Sequence, residues 1–223
     1  MKGWMQGIFG EDSLIGRVTS RIWILFGANL LFVLFSLPIV TAGPAFVAMY
    51  HVCLKTLRWD NALNPFREFW KGFVSNFKQA LIIWLGALAA FAVLILDISF
   101  TVQTEEMVRI FRYPLYLLAG FFLMVLFHFF PVCAAFSDNL KGLLRNALFF
   151  AAKNPVRALL VLFLNAGPMI WTYRDLVRIP LYAFVWACIG FSGIAMICSR
   201  LLLKDFSIYL PDVSVPDETG ENV

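Results

Sequence analysis

The sequence predicts an all-α protein: a polytopic bundle of transmembrane helices, with about six crossings (five is the alternative) and amphipathic helices at the membrane interface. Three observations predict it. The 223 residues are 61% hydrophobic and only 14% charged, whereas a soluble domain is nearer half apolar and a quarter charged. Mean hydropathy is +0.80. Apolar runs long enough to cross about 30 Å of hydrocarbon recur along the chain. The lipid bilayer is therefore the expected surrounding medium. The net charge of +4 matters through where Lys and Arg sit between runs, and no nucleic-acid partner is expected.

Met1 to Arg21 lacks a cleavable signal pattern. It is expected to hold an interfacial helix capped at Asp12 or Ser13. Ile22 to Val40 follows as the first span, about 28 Å of helix. The stretch "SLPIVTAGPAF" at 36–46 then punctuates the chain with Pro38, Gly43 and Pro44. Ala45 to Trp59 is apolar but short, with Lys55 and Arg58 at its far end.

Phe66 to Ala80 has a different pattern. Phe66, Phe69, Trp70, Phe73, Val74 and Phe77 share one helical face, with Arg67, Lys71 and Lys78 largely off it. A basic, aromatic amphipathic helix is predicted, lying in the interface or packed on other helices. Leu81 to Leu96 is the next span, 97–112 is mixed, and Tyr113 to Phe136 is another span. Asp138 to Asn154 repeats the amphipathic theme through Leu140, Leu143, Leu144, Ala147, Leu148 and Ala151. "WKGFVSNF" at 70–77 and "LKGLLRNA" at 140–147 read alike and form a weak internal repeat. Arg157 opens a span expected to break at Ala166-Gly167-Pro168, and Ile179 to Ser199 is the last. Residues 1–204 form one membrane domain. Residues 205–223 form a polar, acidic tail, expected to be disordered over its last ten or so residues.

Charge decides between five and six crossings. With five, Lys2, Arg17, Arg21, Arg109, Arg112, Arg174 and Arg178 face one side, seven positives against eleven. If 36–46 is a tight turn and the short segment returns, the first three join the eleven. The split becomes fourteen against four, which follows the positive-inside tendency better. Six crossings place both termini in the cytoplasm and Glu105 and Glu106 outside. The turn must then find partners for its backbone, because lipid offers none. Thr41 and Ser36 hydroxyls are the expected partners, and the turn is expected to rest on protein.

Ser36-Leu37-Pro38-Ile39-Val40-Thr41, then Gly43, and the later block Asn76-Phe77-Lys78-Gln79-Ala80 resemble the YesL-type family of bacterial membrane proteins, a family of unknown function. The resemblance is strong over roughly residues 8–100 and extends to the second half only as a pattern of spans. Pro44, after the glycine, is a departure that stiffens the turn. The resemblance implies a bacterial plasma-membrane protein and, through genes often found beside carbohydrate ABC importers, an accessory role in sugar uptake. It implies no catalytic residues.

Polar groups at membrane depth are functional suspects. Here they are Asn29, His51, His128 and Asn165. Two histidines do not make a zinc site, which takes three or four protein ligands. Structural hydrogen bonding between helices is the favoured role for all four. Cys53, Cys133, Cys188 and Cys198 read as small apolar fillers. There is no GxSxG, P-loop or HExxH motif. No enzyme, metal or cofactor is therefore expected. The leading expectation is an accessory or assembly protein with ABC permease subunits as partners. The interface is placed on Phe66, Phe69, Trp70, Lys71, Phe73, Phe77 and Lys78. The alternative is a small-solute transporter or channel using broken helices at Ala42–Pro44 and Ala166–Pro168, and Pro38, Thr41, Gly43, Pro44, Gly167 and Pro168 are the candidate structural or turn residues.

Overall fold

A computed structural model describes residues 14–58, 63–103, 110 and 112–209. The described residues form seven helices and no strand. They are α1 (Leu14–Ser36), α2 (Ala42–Arg58), α3 (Pro65–Gln103), α4 (Arg112–Ala135), α5 (Leu140–Lys153), α6 (Pro155–Arg174) and α7 (Ile179–Phe206). Short 3-10 turns at Ile39–Thr41 and Leu176–Arg178 lead into α2 and α7. Six of the helices, all but α5, are long and apolar enough to cross a membrane by length and composition. The short second span gains its length from the turn before it: Ile39–Arg58 makes 20 residues.

α1 ends at Ser36, two residues before Pro38, because a residue preceding proline is pushed out of the helical region. α2 starts at Ala42 and accepts Pro44 within its first turn, where a missing N–H costs nothing. α2 is the centre of the molecule. Its span is 61% buried, against 6% for that of α3. α1, α3, α4 and α7 surround it, enclosing Ala45, Val47, Ala48, Met49, Tyr50, Val52 and Cys53. A helix shielded from lipid on every side has no need of uniformly oily residues, which is why this is among the least hydropathic spans.

Two predicted elements fuse. The amphipathic segment at 66–80 and the span at 81–96 are one helix of 39 residues, about 58 Å long. No Gly or Pro stands between them to stop it. Its predicted aromatic face is split. Phe69 and Phe73 are buried and Phe77 is partly buried, while Phe66, Trp70 and Val74 are exposed. Six positions spread over that much helix surface exceed what Phe35 of α1, 5.0 Å from the Phe73 ring, can cover. The face of α5 is corrected in the same way. Leu143, Ala147, Phe150 and Ala151 are buried, whereas Leu144 and Leu148 are exposed.

The expected break at Ala166–Pro168 is absent: α6 runs through Gly167 and Pro168 without interruption. The irregularity lies instead in α7, which is π-helical over Trp186–Gly190. α7 also continues to Phe206, past the boundary drawn at 204, and buries Asp205 and Phe206. The caps at Asp12 and Ser13, the acidic pair Glu105 and Glu106, and the tail beyond Tyr209 lie outside the described residues.

Candidate functional site

The turn between α1 and α2 is held by side chains from both sides. Thr41 Oγ1 lies 2.6 Å from the Phe35 carbonyl and 3.0 Å from that of Pro38, so its single hydrogen is shared. The indole Nε1 of Trp84 donates to the Ile39 carbonyl at 2.7 Å. A Cβ on Gly43 would stand 2.4 Å from Trp84 Cβ and 3.2 Å from the Ala80 carbonyl. Only glycine admits α3 this closely. Ser36 Oγ, expected to help, is buried without a hydrogen-bond partner. The turn also rests on protein on one side only: Gly43 and Pro44 are buried, while Leu37, Ile39 and Val40 are exposed.

Asn29 sits in α1, fully buried. Its Nδ2 donates to the carbonyls of Trp186 and Ala187, each at 2.8 Å, and its Oδ1 accepts from the Ser192 amide at 3.0 Å. Trp186 and Ala187 lie in the π-turn of α7, and Ser192 lies two residues after it. One amide side chain serves all three.

The other in-membrane polar groups also turn inward. His128 is buried in α4 with Nδ1 2.8 Å from its own helix's Met124 carbonyl, so that nitrogen carries the proton. Asn165 donates to the Val161 carbonyl at 2.8 Å and reaches Cys198 Sγ at 3.4 Å. Near the end of α7, Asp205 accepts from Asn154 at 2.6 Å and pairs with Arg157. The four cysteines are all free; Cys53, Cys133 and Cys198 are buried and Cys188 is half-buried. Among the described residues no three His, Cys, Asp or Glu side chains group as a metal site.

His51 is different. It lines a cleft of about 480 Å³ between α2, α3, the end of α4 and the α4–α5 connection. Lys71, Ser75, Asn76 and Gln79 form its α3 wall, and Ser137 and Asp138 close it. The wall is positioned by close contacts. Gly72 lets α2 approach, since a Cβ there would meet His51 Cβ at 2.8 Å. Gln79 Nε2 donates to the Asp138 carbonyl at 2.8 Å, tying α3 to the connection. Beside the cleft, Lys55 Nζ pairs with Glu68 Oε2 at 2.7 Å, and His51 Nε2 stands 3.6 Å from the same oxygen. The two members of the weak repeat thus use glycine differently. Gly72 admits a neighbouring helix, whereas Gly142, at the start of α5, lies under the Asp138 carboxylate.

The structure therefore brings together His51, Lys71, Asn76 and Gln79 around one cleft, and Pro38, Thr41, Gly43 and Pro44 around one turn. It leaves Asn29, His128 and Asn165 apart from both. Trp84, Glu68 and Gln79 had no assigned role from sequence. The signal for Glu68 was an acidic residue in the first turn of a helix, a short connection after Lys55.

Residues 25–98 match a family model described as "Protein of unknown function, DUF624", and this is the YesL-type family. The matched segment contains the α1–α2 turn, Trp84 and the α2 and α3 walls of the cleft. Neither a curated protein nor a solved structure matches the chain.

Proposed function

We propose that this protein, which carries the YesL-type segment at 25–98, is a non-enzymatic accessory or assembly protein of the bacterial plasma membrane. Its partner in this reading is the permease of a carbohydrate ABC importer, and both termini lie in the cytoplasm. The observation that carries the non-catalytic part is the use already made of Asn29, His128 and Asn165. Each is buried and hydrogen-bonds to backbone or sulfur within the bundle, Asn29 through both ends of its amide, His128 through Nδ1 and Asn165 through Nδ2. Around them the core is filled by Phe129, Phe130 and Phe206, and the polar cleft at His51 is lined by none of the three polar residues. Partner binding is supported by the outward side of α3, where Phe66, Trp70 and Val74 stand exposed beside Arg67, Lys71 and Lys78. The link to sugar uptake rests on the family resemblance.

Purification in mild detergent tests the reading. Permease or ATPase subunits should copurify with the protein, and alanine at Phe66 and Trp70 should release them. Protein that purifies alone and moves solute into liposomes would refute it in favour of a carrier.

A further inference from the structure

The cleft beside His51 has no part in the packing described above. We propose that it binds the phosphate of an anionic phospholipid, whose acyl end lies in the groove that adjoins it. Two concavities meet here. The polar cleft shares Ser75 and Gln79 with an open groove of about 630 Å³, lined by Phe73, Val74 and Phe77 with Lys78 at its edge. A polar cleft beside an open, mainly apolar groove matches a molecule with a charged head and an oily tail. In a chain built of membrane-crossing helices, lipid is the amphiphile at hand.

The charges fit a phosphate. Lys71 is exposed, lines the cleft and makes no hydrogen bond or ion pair among the described residues. His51 Nε2 is buried without a hydrogen-bond partner. Both acidic neighbours are already engaged. Glu68 takes the Lys55 ammonium. Asp138 accepts from the Asn139 amide at 2.6 Å and leans over Gly142 at the start of α5, where the helix dipole favours negative charge. A phosphate oxygen in the cleft would accept from the Lys71 ammonium, and from the Ser75 hydroxyl in exchange for its long 3.4 Å bond to the Gly72 carbonyl. It would also accept from His51 when Nε2 carries the proton.

The site shares Lys71, Val74 and Lys78 with the face given to the partner above, but its test reads bound lipid on the purified protein and needs no partner. Full-length protein in mild detergent is titrated with phosphatidylglycerol, phosphatidylcholine or inorganic phosphate, and bound lipid is counted by native mass spectrometry. Phosphatidylglycerol should bind at one molecule per chain. Lys71→Gln should weaken it about five-fold or more, as expected for one lysine near an anionic head. Lys71→Arg should retain it. Lys141→Gln, the same charge change on α5 outside the cleft, should leave it unchanged. Equal binding by Lys71→Gln, or an equal loss in Lys141→Gln, would overturn the site. Phosphatidylcholine binding as tightly, or inorganic phosphate competing at the same concentration, would overturn the choice of an anionic amphiphile.

Discussion

Trp84 reaches across from α3 to hydrogen-bond the carbonyl of Ile39, and its own Cβ rests where a side chain on residue 43 would have to be. The turn and the middle of α3 are therefore one packing unit. Gly43→Ala forces the helices apart and should cost about 1–3 kcal/mol as overpacking. Trp84→Phe keeps most of the ring and should cost about 1 kcal/mol for the lost bond, because the Ala42 amide still reaches the Ile39 carbonyl. Unfolding in detergent, followed by circular dichroism, checks both. A Gly43→Ala protein as stable as the parent would show that the contact is not made.

Asn29→Leu should be more damaging than its modest change in volume suggests. It strands two carbonyls and one amide of α7 at a buried position. At about 1–3 kcal/mol for each unsatisfied group, less whatever α7 recovers by re-forming regular turns, the expected loss is about 2–4 kcal/mol. Hydrogen exchange should rise locally around 186–192 before any global change. Uniform exchange would argue that the π-turn stands without Asn29.

The Lys55–Glu68 pair is shielded, with side chains about 20% and 13% exposed. Removing one partner leaves the other poorly solvated, so Glu68→Ala should destabilise by about 2–3 kcal/mol. The double variant with Lys55→Ala should recover part of that loss. Strictly additive losses in the two-residue cycle would mean that the pair does not couple.

Topology has a direct test. With the native cysteines replaced, Val177→Cys, in the α6–α7 turn and 91% exposed, should react with a membrane-impermeant maleimide in intact cells. Lys141→Cys should react only after permeabilisation. The reverse pattern would invert the orientation drawn from Lys and Arg.

Much of this architecture was legible in the residues. Hydropathy located the spans, and Pro38 located the end of α1, because proline acts through local backbone rules, whereas Gly43 answers to the close approach of α3. What stayed hidden was long-range. Nothing local at Trp84 announces a bond to a carbonyl 45 positions away, and nothing local at Trp186 and Ala187 announces their bonds to Asn29 in another helix. The AGP triplets at 42–44 and 166–168 show the limit well. The first opens a helix after a non-helical connection, whereas the second lies inside an intact one. A proline breaks a helix only where its surroundings do not hold the helix together. The cleft escaped notice for the same reason: His51 and Lys71 become neighbours only through the glycine at 72.

Past its contact with the turn, α3 keeps going for 19 residues to Gln103, roughly 28 Å. Even tilted by 40°, the upper end of the usual range, its whole length still rises about 45 Å, more than the oily layer is thick. A rod of that reach cannot be wholly immersed, so one end at least, the basic start with Arg67 and Lys71 or the finish past Asp97, must stand in the polar layer.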